Sequence, residues 1–278
     1  MPKSTDEIPL ESTNLFLFVG PADSGKSYAA TSWGLRSVKY GGTSPRPAYL
    51  LELDGRVSAL RGRPVVYDDY TNAEGAIGVL NRIVQLRNDA VRDGKTAYHT
   101  LIFDSITAFN DMAIADSLDE TIKKNKLNPK EPIGRRRGEL QMLTTEDYGY
   151  EAEAFRQLLW ENIFDLKRYC DIIVVAHEVE KYKKINTKPG EPAVFEPDGY
   201  KLLIHGNKLG ARLPTKFDEI YHFKAKEVVR AEKRPRWQVC FQDTLARSSY
   251  PALKKSTEDY EITDKEFYPF WREKINGK

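Results

Sequence analysis

Short uninterrupted apolar runs punctuate an otherwise polar chain. Leu15-Phe16-Leu17-Phe18-Val19 runs into Gly20-Pro21, and Ala48-Tyr49-Leu50-Leu51 into Glu52. Leu101-Ile102-Phe103 ends at Asp104, and Ile172-Ile173-Val174-Val175-Ala176 at His177. Runs without alternation suit strands buried on both faces, as in a parallel sheet. Residues 64–67, 217–224 and 236–241 predict further strands. Helix-forming sequence runs from 24 to about 39, where Gly41-Gly42-Thr43-Ser44-Pro45 breaks it. Over 73–93, Ala76, Ile77, Val79, Leu80, Ile83, Val84, Leu86 and Val91 fall at helical spacing, and Gly94 suits the stop. A helix of about ten residues is expected after Asp104, and another over 150–169. Strands alternating with helices predict an α/β fold, a mainly parallel sheet flanked by helices.

Two stretches break the alternation. Residues 121–147 and 178–216 are rich in Lys, Arg, Gly and Pro and read as long loops. Each follows a strand-bearing unit, and open α/β sheets bind ligands beyond the carboxyl ends of their strands. The sequence divides into a polar leader (1–13), a core (14–250) and a charged, aromatic tail (251–278). The tail segment Phe267-Tyr268-Pro269-Phe270-Trp271 is expected to pack on the core, because such rings bury large apolar areas.

Composition narrows the function classes. A chain of 278 residues with 40% hydrophobic positions can bury a core without a disulfide or metal staple. Cys170 and Cys240 have no CxxC partner, and the four His show no HExxH spacing. No apolar run approaches the roughly 20 residues of a membrane span. The opening segment has no signal-peptide character, so a cytoplasmic protein is expected. The net charge of +2 excludes no partner, because the distribution of charge matters more than its sum.

Gly20-Pro21-Ala22-Asp23-Ser24-Gly25-Lys26-Ser27, followed by Tyr28, fits the GxxxxGK[ST] phosphate loop. It follows an apolar strand and opens a helix, as the mechanism requires. Backbone N–H groups wrap the phosphates and the helix N-terminus adds its dipole. Lys26 is placed for the β- and γ-phosphates of ATP, and the Ser27 hydroxyl for Mg²⁺. Asp104, closing an apolar strand, is the expected second metal-orienting carboxylate. It is followed by Ser105 rather than Glu, so a base must come from elsewhere. The strand at 48–53 offers Glu52 and Asp54, with Asp54 ahead; a carboxylate there can reach a water in line with the γ-phosphate. His177, at the end of its strand, can sense the γ-phosphate and pass its presence to the following loop.

In that order the residues resemble the RecA-like core ATPases. More narrowly, the chain resembles the short phage RecA-like proteins of the Sak-type single-strand annealing group. Leu101–Ala108, Val174–Glu178 and Lys208–Ile220 carry the narrower likeness, which covers about 14–250. It implies DNA-dependent ATP hydrolysis at subunit interfaces of a ring or filament on single-stranded DNA, in phage recombination or replication within the host cytoplasm. A single-strand-binding protein is an implied partner. Lys224 and Lys226 fall where RecA-like proteins carry lysines that act on a neighbour's γ-phosphate. Asp54 departs from the Glu common in that family.

In the RecA-like plan, the two long loops face the DNA. Residues 121–140 hold seven basic and two acidic residues, including Arg135-Arg136-Arg137. The second loop holds Lys181, Tyr182, Lys183 and Lys184. Cations for phosphates and an aromatic ring for stacking are what single-strand binding requires. A ring motor on the same core, a small-molecule kinase with Arg135–Arg137 as its lid, and a nucleotide-bound protein without turnover remain alternatives. A GTPase is disfavoured, since Asn207-Lys208-Leu209-Gly210 lacks the Asp that reads guanine.

Overall fold

The computed structural model describes residues 13–70, 74–127, 136–137, 140–141, 145–185, 194–204, 210, 212–226, 236–240, 246, 248, 250, 253, 259–262 and 265–276. Five parallel pairings make the centre of one sheet. The strands are β1 (Leu15–Gly20), β2 (Ala48–Glu52), β3 (Val65–Asp69), β4 (Thr100–Asp104), β7 (Asp171–Ile185) and β9 (Glu219–Lys226), in the order β9-β1-β7-β4-β2-β3. The strand carrying His177 thus lies between the strands ending in Gly20 and Asp104. Antiparallel β10 (Arg236–Cys240) and β11 (Tyr260–Glu261) extend the β9 edge.

The uninterrupted apolar runs follow from two covered faces. Leu15, Leu17 and Val19 join Tyr49, Leu51, Leu101, Phe103, Ile172 and Val174 in one core layer. The alternate residues Phe16, Phe18, Leu50, Ile102, Ile173 and Val175 join a second. The first layer lies under α2 (Gly75–Asp93), α3 (Ile106–Leu127), α4 (Thr145–Phe155) and a π-helix (Arg156–Ile163) that continues into α5 (Phe164–Leu166). The second lies under α1 (Lys26–Thr31) and the C-terminal α6 (Phe267–Ile275). In α6, Phe267 and Trp271 are buried against Trp33.

Three expected boundaries move. The helix after the phosphate loop spans only Lys26–Thr31 and tightens into a 3₁₀ turn, Ser32–Arg36. There Gly34 meets the Pro64 carbonyl so closely that a Cβ would fall 1.8 Å from it. The helix after Asp104 runs 22 residues, so the first seven residues of the supposed loop are helical. Beyond it, two-residue strands β5 (Arg136–Arg137) and β6 (Leu140–Gln141) pair.

The largest correction is at 178–216. β7 does not stop at His177 but runs on to Ile185 and folds back as β8 (Val194–Leu202), an antiparallel ribbon with a bulge between Glu180 and Tyr182. Lysines hid the strand, because their aliphatic stems tolerate an exposed pleat while reading as polar.

Candidate active site

Gly25 takes the left-handed conformation (φ 86°) that lets the phosphate loop turn into α1. A Cβ at Gly20 would fall 2.3 Å from the Phe223 carbonyl, so the loop starts where only glycine lets β1 and β9 close. Lys26 is 4% exposed. Its ammonium donates to the carbonyls of Gly20 (2.9 Å) and Pro21 (2.5 Å) and to Ser24 Oγ (3.3 Å). Burial lowers its pKa to about 8, opposed by the carboxylates of Asp104, Glu178, Asp54 and Asp23. The cation is therefore held by carbonyls that a triphosphate can replace.

Asp104 ends β4 at the same rim, and the peptide joining it to Ser105 is cis. Burial raises its pKa to about 7, with the Asp54 charge adding and the Ser27 hydroxyl and Lys26 opposing. One carboxylate oxygen, Oδ1, is buried without a hydrogen-bond partner. A buried oxygen lacking a partner beside a serine hydroxyl is a hard donor pair. That suits Mg²⁺, which takes one or two protein oxygens and fills the rest with water and phosphate. Among the described residues no cluster of three or more His, Cys, Asp or Glu could hold a metal unaided.

The two expected bases have different surroundings. Glu52 is 1% exposed and its carboxylate accepts the backbone N–H groups of Asp54 (3.1 Å), Gly55 (3.0 Å) and Arg56 (2.9 Å). It braces the turn after β2; burial raises its pKa despite those bonds. Asp54 lies past the end of β2, so strand alternation does not govern it. Its Oδ1 accepts from Ser105 Oγ (2.9 Å) and its Oδ2 lies 3.3 Å from His177 Nε2. Burial pushes the Asp54 pKa up, but the hydrogen bonds from His177 and Ser105, with the His177 and Arg56 charges, outweigh it and hold it low. Asp54 therefore stays ionised at neutral pH, with an oxygen toward His177.

His177 joins three parts of the site. Besides Asp54, its Nδ1 lies 3.5 Å from Lys26 Nζ, and its backbone N–H donates to Thr107 Oγ1 (3.0 Å). Its carbonyl accepts from Leu203, just past β8. Next along β7, Glu178 pairs with His222 at 2.8 Å, both buried. Tyr200 of β8 packs edge-on against the His222 ring at 5.1 Å.

One cavity collects Asp23, Ser24, Gly25, Lys26, Ser27, Tyr28, Glu52, Asp54, Asp104 and His177, all expected from the sequence. It also takes in Arg56, Ala59, Leu60 and Trp237, which sequence reasoning missed. Ser105 and Thr107 were missed as partners too, although both sit in the segment after Asp104.

Of the expected DNA-contacting residues, the described ones do not line this cavity. Arg135 falls outside the described residues, as do the side chains of Arg136, Arg137 and Lys226. Lys181, Lys183 and Lys184 are exposed on the ribbon. Lys181 pairs with Asp198 at 2.7 Å, and Lys183 stands opposite Glu196 in the register. The described ribbon holds four lysines and four acids, so it is balanced rather than basic. Lys224 lies on β9 with its ammonium 5.4 Å from the Tyr200 ring centroid.

Residues 13–250 match a family model described as an AAA domain. No curated protein matches the chain. Among solved structures it is similar to a KaiC-like protein, PH0186, from the hyperthermophilic archaeon Pyrococcus horikoshii OT3. The identity is 13% and the TM-score 0.42, over 89% of this chain and 84% of that one. Among the described residues no helix is long and apolar enough to cross a membrane.

Proposed function

The chain belongs to the AAA domain family, and from that premise we propose that it is a P-loop ATPase with a RecA-like core that couples ATP hydrolysis to a hold on single-stranded DNA. It does so as a ring or filament of like subunits, in phage recombination or replication. The observation that carries this reading is His177. It reaches the candidate base Asp54 and the phosphate-loop Lys26 with its ring, and roots the exposed ribbon with its backbone.

In this reading Lys26 and the loop N–H groups, from Gly20 to Ser27, bind the β- and γ-phosphates. Ser27 and Asp104 would hold Mg²⁺, which would supply positive charge against the phosphate oxygens. Asp54 takes the proton of the attacking water, with Ser105 and His177 keeping its carboxylate ionised and oriented. Glu52 fixes the turn that presents Asp54. A change at the γ-phosphate alters the Lys26–His177–Asp54 contacts and, through β7, the ribbon. The exposed rings of Tyr182 and Phe195 stack bases, and Lys183 and Lys184, with Arg135–Arg137, meet phosphates. Lys224 and Lys226 reach a neighbouring subunit's nucleotide.

The test is the steady-state ATPase rate alone, with single-stranded DNA and with duplex, at two salt concentrations. Stimulation by single strands that fades with salt is expected. Turnover indifferent to both DNAs overturns the DNA part and leaves the ATPase. The ribbon's balanced charge favours a second reading, contact with another copy of the chain. A turnover number per chain that rises with protein concentration and ignores DNA would select it.

A further inference from the structure

The cavity around the phosphate loop has two unlike ends. One holds the charged groups described above. The other is lined by Tyr28, Ala59, Leu60 and Trp237, of which only Tyr28 adjoins the loop in sequence. Trp237 belongs to β10, outside the parallel centre of the sheet, and its position is fixed by sheet bonding. Its residue pairs with Ala225 of β9, and its carbonyl accepts the N–H of Ile262 at 2.9 Å. The indole lies on the backbone of the phosphate loop: a Cβ at Gly25 would fall 2.7 Å from its Cδ2.

The aromatic end is braced from behind. The Trp237 and Tyr28 ring centroids are 5.6 Å apart at a tilt of 48°. The Arg63 guanidinium lies 3.8 Å from the Tyr28 ring centroid. Arg63 is held in turn by both oxygens of Glu266, each at 2.7 Å. Aromatic faces favour cations and other rings, so the cluster holds the indole in place.

We infer that Trp237 is the nucleobase-stacking residue of this site, taking the flat face of a purine while the phosphate loop takes the phosphates. The inference rests on the reading of the cavity as an ATP site. A nucleoside triphosphate has one anionic end and one flat aromatic end, and this cavity is lined both by the phosphate-loop lysine and by aromatic rings. Recognition by stacking follows the size of the π-face, so purines bind better than pyrimidines.

Isothermal titration with Mg²⁺ present would compare ADP, CDP and inorganic pyrophosphate. The wild type should bind ADP more tightly than CDP. Trp237→Leu should weaken ADP by about tenfold, the scale of one lost stacking contact, and narrow the gap to CDP. Its pyrophosphate affinity should match the wild type's, which also shows that the phosphate loop is intact. ADP should quench tryptophan fluorescence in the wild type, and Trp237→Phe should keep most of the ADP affinity but lose that quenching. Unchanged ADP affinity in Trp237→Leu overturns the stacking role and leaves the ATP reading standing. So does an equal loss of ADP and pyrophosphate, which would make the indole a prop for the loop. A wild type that binds neither ADP nor pyrophosphate overturns the ATP reading itself.

Discussion

The two ends of the nucleotide cavity are built by different means. The charged end is made where β1, β4 and β2 end and where His177 stands midway along β7, on four adjacent strands, so its side chains are placed by the parallel register. The aromatic end is assembled from α1, the segment before β3, β10 and the residue that precedes α6. The charged end depends on the sheet; the aromatic end depends on parts of the chain that are far apart in sequence and brought together only by packing. Chemistry on phosphate needs sub-ångström placement, and the centre of a sheet provides it. Stacking tolerates looser placement, and peripheral elements suffice.

Three substitutions test that division. The largest effect belongs to Lys26→Ala, which should weaken nucleotide binding by about 100-fold or more, by loss of charge-assisted bonds to phosphate. Calorimetry reads it, and affinity near the wild type's would remove the phosphate loop from the argument. Next is Asp54→Asn, expected to keep nucleotide affinity and slow single-turnover hydrolysis by about 100-fold or more. An unchanged rate would transfer the base to Glu52 or another group. The smallest is Arg63→Ala. It removes the brace behind Tyr28 and breaks a pair that is nearly buried on the arginine side and about a third exposed on the Glu266 side. Stability should fall by about 1–2 kcal/mol in urea unfolding and ADP affinity by a few-fold, while turnover at saturating ATP stays put. A large loss of turnover there would show that the two ends are not separable.

The same division decides what could be read from the sequence. At the charged end, chemistry restricts residue type and spacing: GxxxxGK[ST] after an apolar run, an Asp closing another, a His closing a third. Lys26, Ser27, Asp54, Asp104 and His177 could therefore be gathered before any fold was known. Glu52 was found for its carboxylate, but its job as a brace for three backbone N–H groups depends on where β2 ends, which periodicity does not locate. Trp237 left no signal, because an aromatic residue in a strand is ordinary core material until its neighbour proves to be Gly25. The ribbon was missed for a related reason. Its strands are exposed, so no apolar pattern marks them, and only the pairing of Glu178 with Leu202 through Ile185 with Val194 reveals it.

The docking of α6 has a consequence for how the molecule responds to its ligand. Glu266 immediately precedes that helix and anchors Arg63 beneath Tyr28. The N–H of Tyr268 donates to Ser32 Oγ in the turn that follows α1, and the Trp271 indole N–H donates to the Tyr221 hydroxyl. Detaching α6 therefore loosens the floor of the nucleotide cavity. By linkage, whatever fills the cavity must raise the free energy of that detachment. Amide hydrogens of Phe267–Ile275 should exchange more slowly when nucleotide is added, and the C-terminus of the chain becomes a reporter of occupancy at the phosphate loop.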